Sequence, residues 1–95
     1  DGMVGVLICL NSKTNQLMAP PKVITVGFVS YGANEEHLTR HASIQVQEAL
    51  GEMFKTNNHI TFGDIKNTIR SVVSKYYFRK TQRNPMIIPL IMNLN

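Results

Sequence analysis

The chain has 95 residues, 43% of them hydrophobic and 17% charged, which is material for one globular domain with one core and excludes a two-domain protein, a disordered tail, a collagen or a coiled coil. A single cysteine, Cys9, excludes an internal disulfide and a thiolate zinc cluster. The net charge of +4 hides an asymmetry: residues 1–64 carry −2, whereas residues 65–95 carry +6 with no acidic residue.

Met3–Leu10 is an almost unbroken apolar run rich in β-branched residues and closed by the polar cluster Asn11–Asn15. It is too short for a buried helix and reads as a strand covered on much of both faces. Gln16–Met18 is positioned to return along it. Pro20-Pro21 lacks backbone donors and interrupts the ladder, and strand composition resumes over Val23–Val29 as an antiparallel partner, with Gly27 marking a bulge or a close backbone approach.

Asn34 followed by Glu35 and Glu36 is helix-start chemistry, because a side-chain acceptor caps free N–H groups and carboxylates suit the positive end of the dipole. Leu38, Ala42, Val46, Ala49, Leu50 and Met53 then form one apolar stripe that ends at Thr56-Asn57-Asn58. A second helix is predicted from Thr61, with Asp64 as the reciprocal acceptor of a capping box. Its stripe is Phe62, Ile65, Ile69, Val72, Val73 and Tyr76, and Asn84-Pro85 stops it. Met86–Met92 is a last apolar strand whose Pro89 requires an edge position or a bulge. The whole is an α+β domain, residues 1–95, in the order ββααβ: a sheet of about three strands with two helices packed on one face.

Candidate chemistry is sparse. His37 and His41 stand one helical turn apart, but Leu38 occupies the place where a metalloprotease helix carries its glutamate, and no further ligands complete a site. They read as solvated first-turn histidines. Cys9 lies in an apolar strand and reads as a buried structural thiol. No nucleophile elbow, phosphate-binding glycine loop or carboxylate dyad is present. No metal ligand, cofactor site or catalytic residue is therefore assigned.

The basic C-terminal third is the remaining lead. At about 100° per residue, Lys66 and Arg70 fall on one border of the apolar stripe, and Lys75 and Arg79 on the other. Lys75, Arg79, Lys80 and Arg83 are candidates for nucleic-acid phosphate contacts; the competing reading is that they complement the helix dipole and cover the core edge with their methylene stems. Tyr76, Tyr77 and Phe78 are assigned to core or interface rather than to base stacking. Met86, Ile88, Leu90 and Met92 are candidate interface residues, because the two apolar strands have too few polar positions to turn a wet face to solvent.

Arg79-Lys-Thr-Gln-Arg-Asn-Pro-Met-Ile-Ile-Pro-Leu-Ile-Met92 closely resembles the C-terminal end of ribonuclease J proteins, in which a Lys-Thr-x-Arg-x-Pro stretch runs into a proline-containing apolar strand. The opening Asp1-Gly2-Met3, the Pro-x-Val-Ile-Thr-x-Gly-Phe-Val segment at 21–29 and the Asp64-Ile-Lys66 helix start align in the same order. The resemblance implies the C-terminal domain of a longer bacterial ribonuclease of the metallo-β-lactamase superfamily with a β-CASP insert. Such enzymes hydrolyse RNA with zinc-bound water, as 5′-to-3′ exonucleases and endonucleases. Their metal ligands lie in an N-terminal catalytic domain, so no catalytic residue carries over to this chain. A non-catalytic accessory and assembly domain is the expectation, with the rest of the parent and a second copy as partners and a small RNA-binding module as the alternative. Asp1 in place of Met also points to a piece of a longer chain. With one cysteine, no secretion signal and no apolar run of the ~18–20 residues that a membrane span needs, a cytoplasmic location and no membrane partner are expected.

Overall fold

A computed structural model describes residues 2–27 and 35–94. The strands are β1 (Met3–Asn11), β2 (Gln16–Leu17), β3 (Lys22–Val26) and β4 (Met86–Asn93), and the helices are α1 (Glu35–Thr56) and α2 (Phe62–Thr81). β1 is the centre of the sheet. It pairs in parallel with β4, from Met3 opposite Met86 to Leu10 opposite Asn93. Leu10 O accepts the Leu94 N–H on that side, while Cys9 O accepts the Met18 N–H on the other. Carbonyls alternate sides along a strand. β2 and β3 therefore share the opposite edge of β1, both antiparallel to it, with Pro20-Pro21 breaking one long partner into two. The α+β class and the antiparallel start agree with the sequence reading, and β2 is the expected return of Gln16–Met18 along β1, which makes four strands rather than about three.

The alternation of β1 decides where the core sits. Val4, Val6, Ile8 and Leu10 turn to one face and are at most 2% exposed. Onto them pack Leu38, Ala42, Val46 and Leu50 of α1 and Ile65, Ile69, Val73, Tyr76 and Tyr77 of α2. Each buried Val, Leu or Ile side chain among them stabilises the fold by roughly 1.5–3 kcal/mol relative to exposure. Both helices lie on this one face. The chain's own elements thus close the core without a partner.

Polar contacts hold the element ends. Thr61 Oγ1 accepts the Asp64 N–H and Asp64 Oδ2 accepts the Thr61 N–H, each at 3.0 Å, which completes the capping box of α2. Those bonds hold the Asp64 carboxyl below its ordinary range. Gln82 ends α2 in the left-handed region at φ 61° and donates its N–H to Phe78 O. In the turn after β1, Asn11 Oδ1 accepts the N–H groups of Lys13 and Thr14, and Asn93 ties the end of β4 to that turn by exchanging two hydrogen bonds with Ser12.

Several expectations are corrected. Among the described residues β1 is covered on one face only, since both helices lie on that side. Cys9 consequently is half-buried on the uncovered side rather than a core thiol. Phe62 does not join the stripe: it is the first residue of α2, at the connection between the helices, and is exposed, whereas Tyr77, one turn after Val73, takes a core position. Phe78 is exposed as well. The predicted start of α1 at Asn34 and the Phe28-Val29 end of the second strand lie outside the described residues.

Candidate interaction surfaces

The uncovered sheet face follows from the same alternation. In β1 it takes Met3, Gly5, Leu7 and Cys9, and the parallel register sets Met86, Ile88, Leu90 and Met92 directly beside them. On the other side Val26, Ile24 and Lys22 stand opposite Met3, Gly5 and Leu7. All four interface candidates therefore share one face. Met86, Val26 and Leu90 are 63%, 56% and 54% exposed, and Ile24, Met92 and Met18 are also exposed. Lys22 is the one charged side chain in this array. A contiguous apolar surface of this kind is uncommon on a soluble monomer.

The edges of the sheet are less receptive than its face. Met86 N–H donates to Gly2 O and Leu94 N–H to Leu10 O, so even-numbered residues of β4 point their backbone groups at β1. Pro89 is odd-numbered, and its nitrogen, which has no hydrogen, lies on the outer edge. The opposite edge carries Pro20-Pro21. Prolines at such positions blunt strand addition.

The cationic candidates do not form one group. Lys75 borders a shallow groove of about 420 Å³ with Arg70, Ser71, Ser74, Pro85 and Ile87. The helical projection places it with Arg79 instead. Arg79 turns to α1, where its Nη2 reaches Gln45 Oε1 at 3.5 Å, and its guanidinium lies 6.0 Å from the centroid of the Tyr76 ring. Arg83 is half-buried, with its N–H on Thr81 Oγ1. Lys80 is exposed and near enough to His41 to disfavour its protonation. His41 and His37 have ring centroids 4.1 Å apart. Desolvation first, then the charges of His37, Arg40 and Lys80, hold the His41 pKa below its ordinary 6.5.

The sequence reading misses this meeting of Arg40 and His41 with Lys80, because it requires α1 to start beside the end of α2. Among the described residues no group of three or more His, Cys, Asp or Glu side chains could hold a metal ion, and no helix is long and apolar enough to cross a membrane.

The family model described as the ribonuclease J C-terminal domain matches residues 1–94. Ribonuclease J2 of Bacillus subtilis (strain 168) is 34% identical over 94 residues, which is 99% of this chain and 17% of that protein. Ribonuclease J 2 of Staphylococcus aureus (strain NCTC 8325) is also 34% identical over 94 residues, 99% of this chain and 16% of the relative. The chain thus spans a small fraction of the length of the relatives it matches. It belongs to the ribonuclease J C-terminal domain family.

Proposed function

We propose that this chain is the non-catalytic accessory and assembly domain of an RNA-degrading hydrolase, and that it assembles by laying its open sheet face on that of a second copy. The observation that carries the reading is the apolar array of Met3, Leu7, Met86, Ile88, Leu90, Met92, Ile24 and Val26, which no element among the described residues covers. A second copy suits it for two reasons. Among the described residues the face holds one charge, Lys22, so two copies meet without burying like charges at its centre. Its spread over three strands and some eight residues offers on the order of 500 Å² per copy, enough for a total near the lower bound of specific interfaces.

Zinc-bound water and the exonuclease and endonuclease chemistry belong, on this reading, to a catalytic domain elsewhere in the parent. His37 and His41 have no third ligand among the described residues. Sedimentation velocity over a wide concentration range tests the assembly. The chain should self-associate, and Met86→Lys with Leu90→Lys should make it monomeric without lowering its melting temperature in dilute solution. A chain that stays monomeric at every concentration, with the face covered only in the full-length enzyme by its catalytic part, would overturn the docking on a second copy.

A direct RNA contact is supported by a separate observation: Arg79 and Lys80 are exposed, and among the described residues neither they nor Arg40 forms an ion pair. Replacing Arg79 and Lys80 by Ala in the full-length enzyme should then flatten the log–log salt dependence of RNA binding by roughly 0.7–0.9 for each phosphate no longer neutralised. An unchanged slope with a lowered melting temperature would assign these cations to the helix end instead.

A further inference from the structure

Gly5 occupies the middle of the open face, and nothing among the described residues requires a glycine there. Its backbone is ordinary strand, since the described glycines with positive φ are Gly2 and Gly27. Among the described residues, a Cβ built on Gly5 would meet only Ile24 O, at 3.9 Å, which is ordinary contact. Glycine in a strand interior costs chain entropy and leaves no side chain to pack, so it is favoured where another group approaches the backbone closely. Around Gly5 the face rises on every side: Met3 and Leu7 along the strand, Ile24 and Ile88 directly across. The result is a notch floored by backbone and walled by apolar side chains.

We propose that this notch receives the Leu90 side chain of a second copy of the chain, and so sets the register of the face-to-face dimer. The inference rests on the docking reading above and specifies its geometry. Leu90 stands beside Leu7, one strand over and two residues along from Gly5, and more than half of it is exposed. A twofold axis lying between the two sheets, midway between Gly5 and Leu90, sets each Leu90 over the other copy's Gly5. Two equivalent insertions arise from one operation, as an isologous interface requires. The proline-blunted edges leave the face as the available route.

Sedimentation equilibrium of the 95-residue chain, with a double-mutant cycle, tests the notch. Gly5→Val should raise the dimer dissociation constant by about tenfold or more through overpacking, while the melting temperature of the dilute monomer stays level or rises. Gly5→Ala, whose methyl lies within ordinary contact distance, should act in the same direction more weakly. In a Leu90→Ala background the Gly5→Val effect should shrink several-fold, because the knob it obstructs has been removed. A dimer unaffected by Gly5→Val overturns the notch and leaves docking on the face intact. Equal Gly5→Val effects in both backgrounds, or a lowered monomer melting temperature, overturn it too. A wild-type chain that never dimerises removes the docking reading itself.

Discussion

Pro89 lies directly across from Val6 in the parallel β1–β4 pair, and its nitrogen faces away from β1. The outer edge of β4 therefore lacks a donor at its midpoint, between the outward N–H groups of Ile87 and Ile91. Pro89→Val would restore that donor at small volume cost and turn the edge into a template for strand addition. The expected outcome is fibrillar, dye-binding aggregation on agitation under conditions that leave the wild-type chain clear. Equal behaviour of the two would show that the face, not the edge, governs association of both.

The two ends of α2 should respond in opposite directions. Thr61→Ala deletes the acceptor for the Asp64 N–H and should cost about 1 kcal/mol, or about 4–8 °C in melting temperature. Gln82→Gly relieves a left-handed residue that has a Cβ and should stabilise by about 1 kcal/mol. Asp64 adds a pH dependence. Its folded pKa is depressed by the hydrogen bonds from Thr61, so its contribution is present above the ordinary value of 3.8 and lost as pH falls through the folded value. Asp64→Asn should flatten that acid limb in urea unfolding.

At alkaline pH the core itself titrates. Burial first, then Tyr76 and Glu35, pushes the Tyr77 phenol from its ordinary 10.0 up to about 12. A raised folded pKa means full stability below pH 10 and progressive loss between 10 and 12, as the unfolded phenol ionises first. Tyr77→Phe keeps the edge-on packing against Tyr76, whose ring centroid is 5.5 Å away, and removes the proton. Denaturant midpoints measured across that window should fall less steeply for the variant. A residual slope should remain, because burial raises the Tyr76 pKa too.

Local signals and periodicity carry most of the fold. Thr61 and Asp64 form a capping box because both partners are three residues apart, and Leu38, Ala42, Val46 and Leu50 form a stripe by spacing alone. Pro89 announces an edge strand by chemistry that no tertiary contact can alter. What is not legible depends on which strand lies beside which. The parallel register of β4 on β1 brings Met86, Ile88, Leu90 and Met92 level with Met3, Gly5, Leu7 and Cys9. In the sequence these are two separate apolar runs with no sign of their relative offset. The half-buried position of Cys9 is hidden for the same reason, since an unbroken apolar run does not show which half of it faces the helices. Lys75 and Arg79 share a border in the helical projection, yet β4 and α1 draw them to different neighbours.

Cys9 provides the most direct test of the central claim, that the open face is where two copies meet. The thiol is half-buried on that face, in register with Met92. Its reaction rate with an aromatic disulfide reagent should be measured across a range of protein concentrations beside the sedimentation profile. The account predicts that the rate per molecule falls as the dimer forms, with the same midpoint, and that Met86→Lys with Leu90→Lys abolishes the fall. A rate independent of concentration while the chain is demonstrably dimeric would place the contact elsewhere and contradict the account.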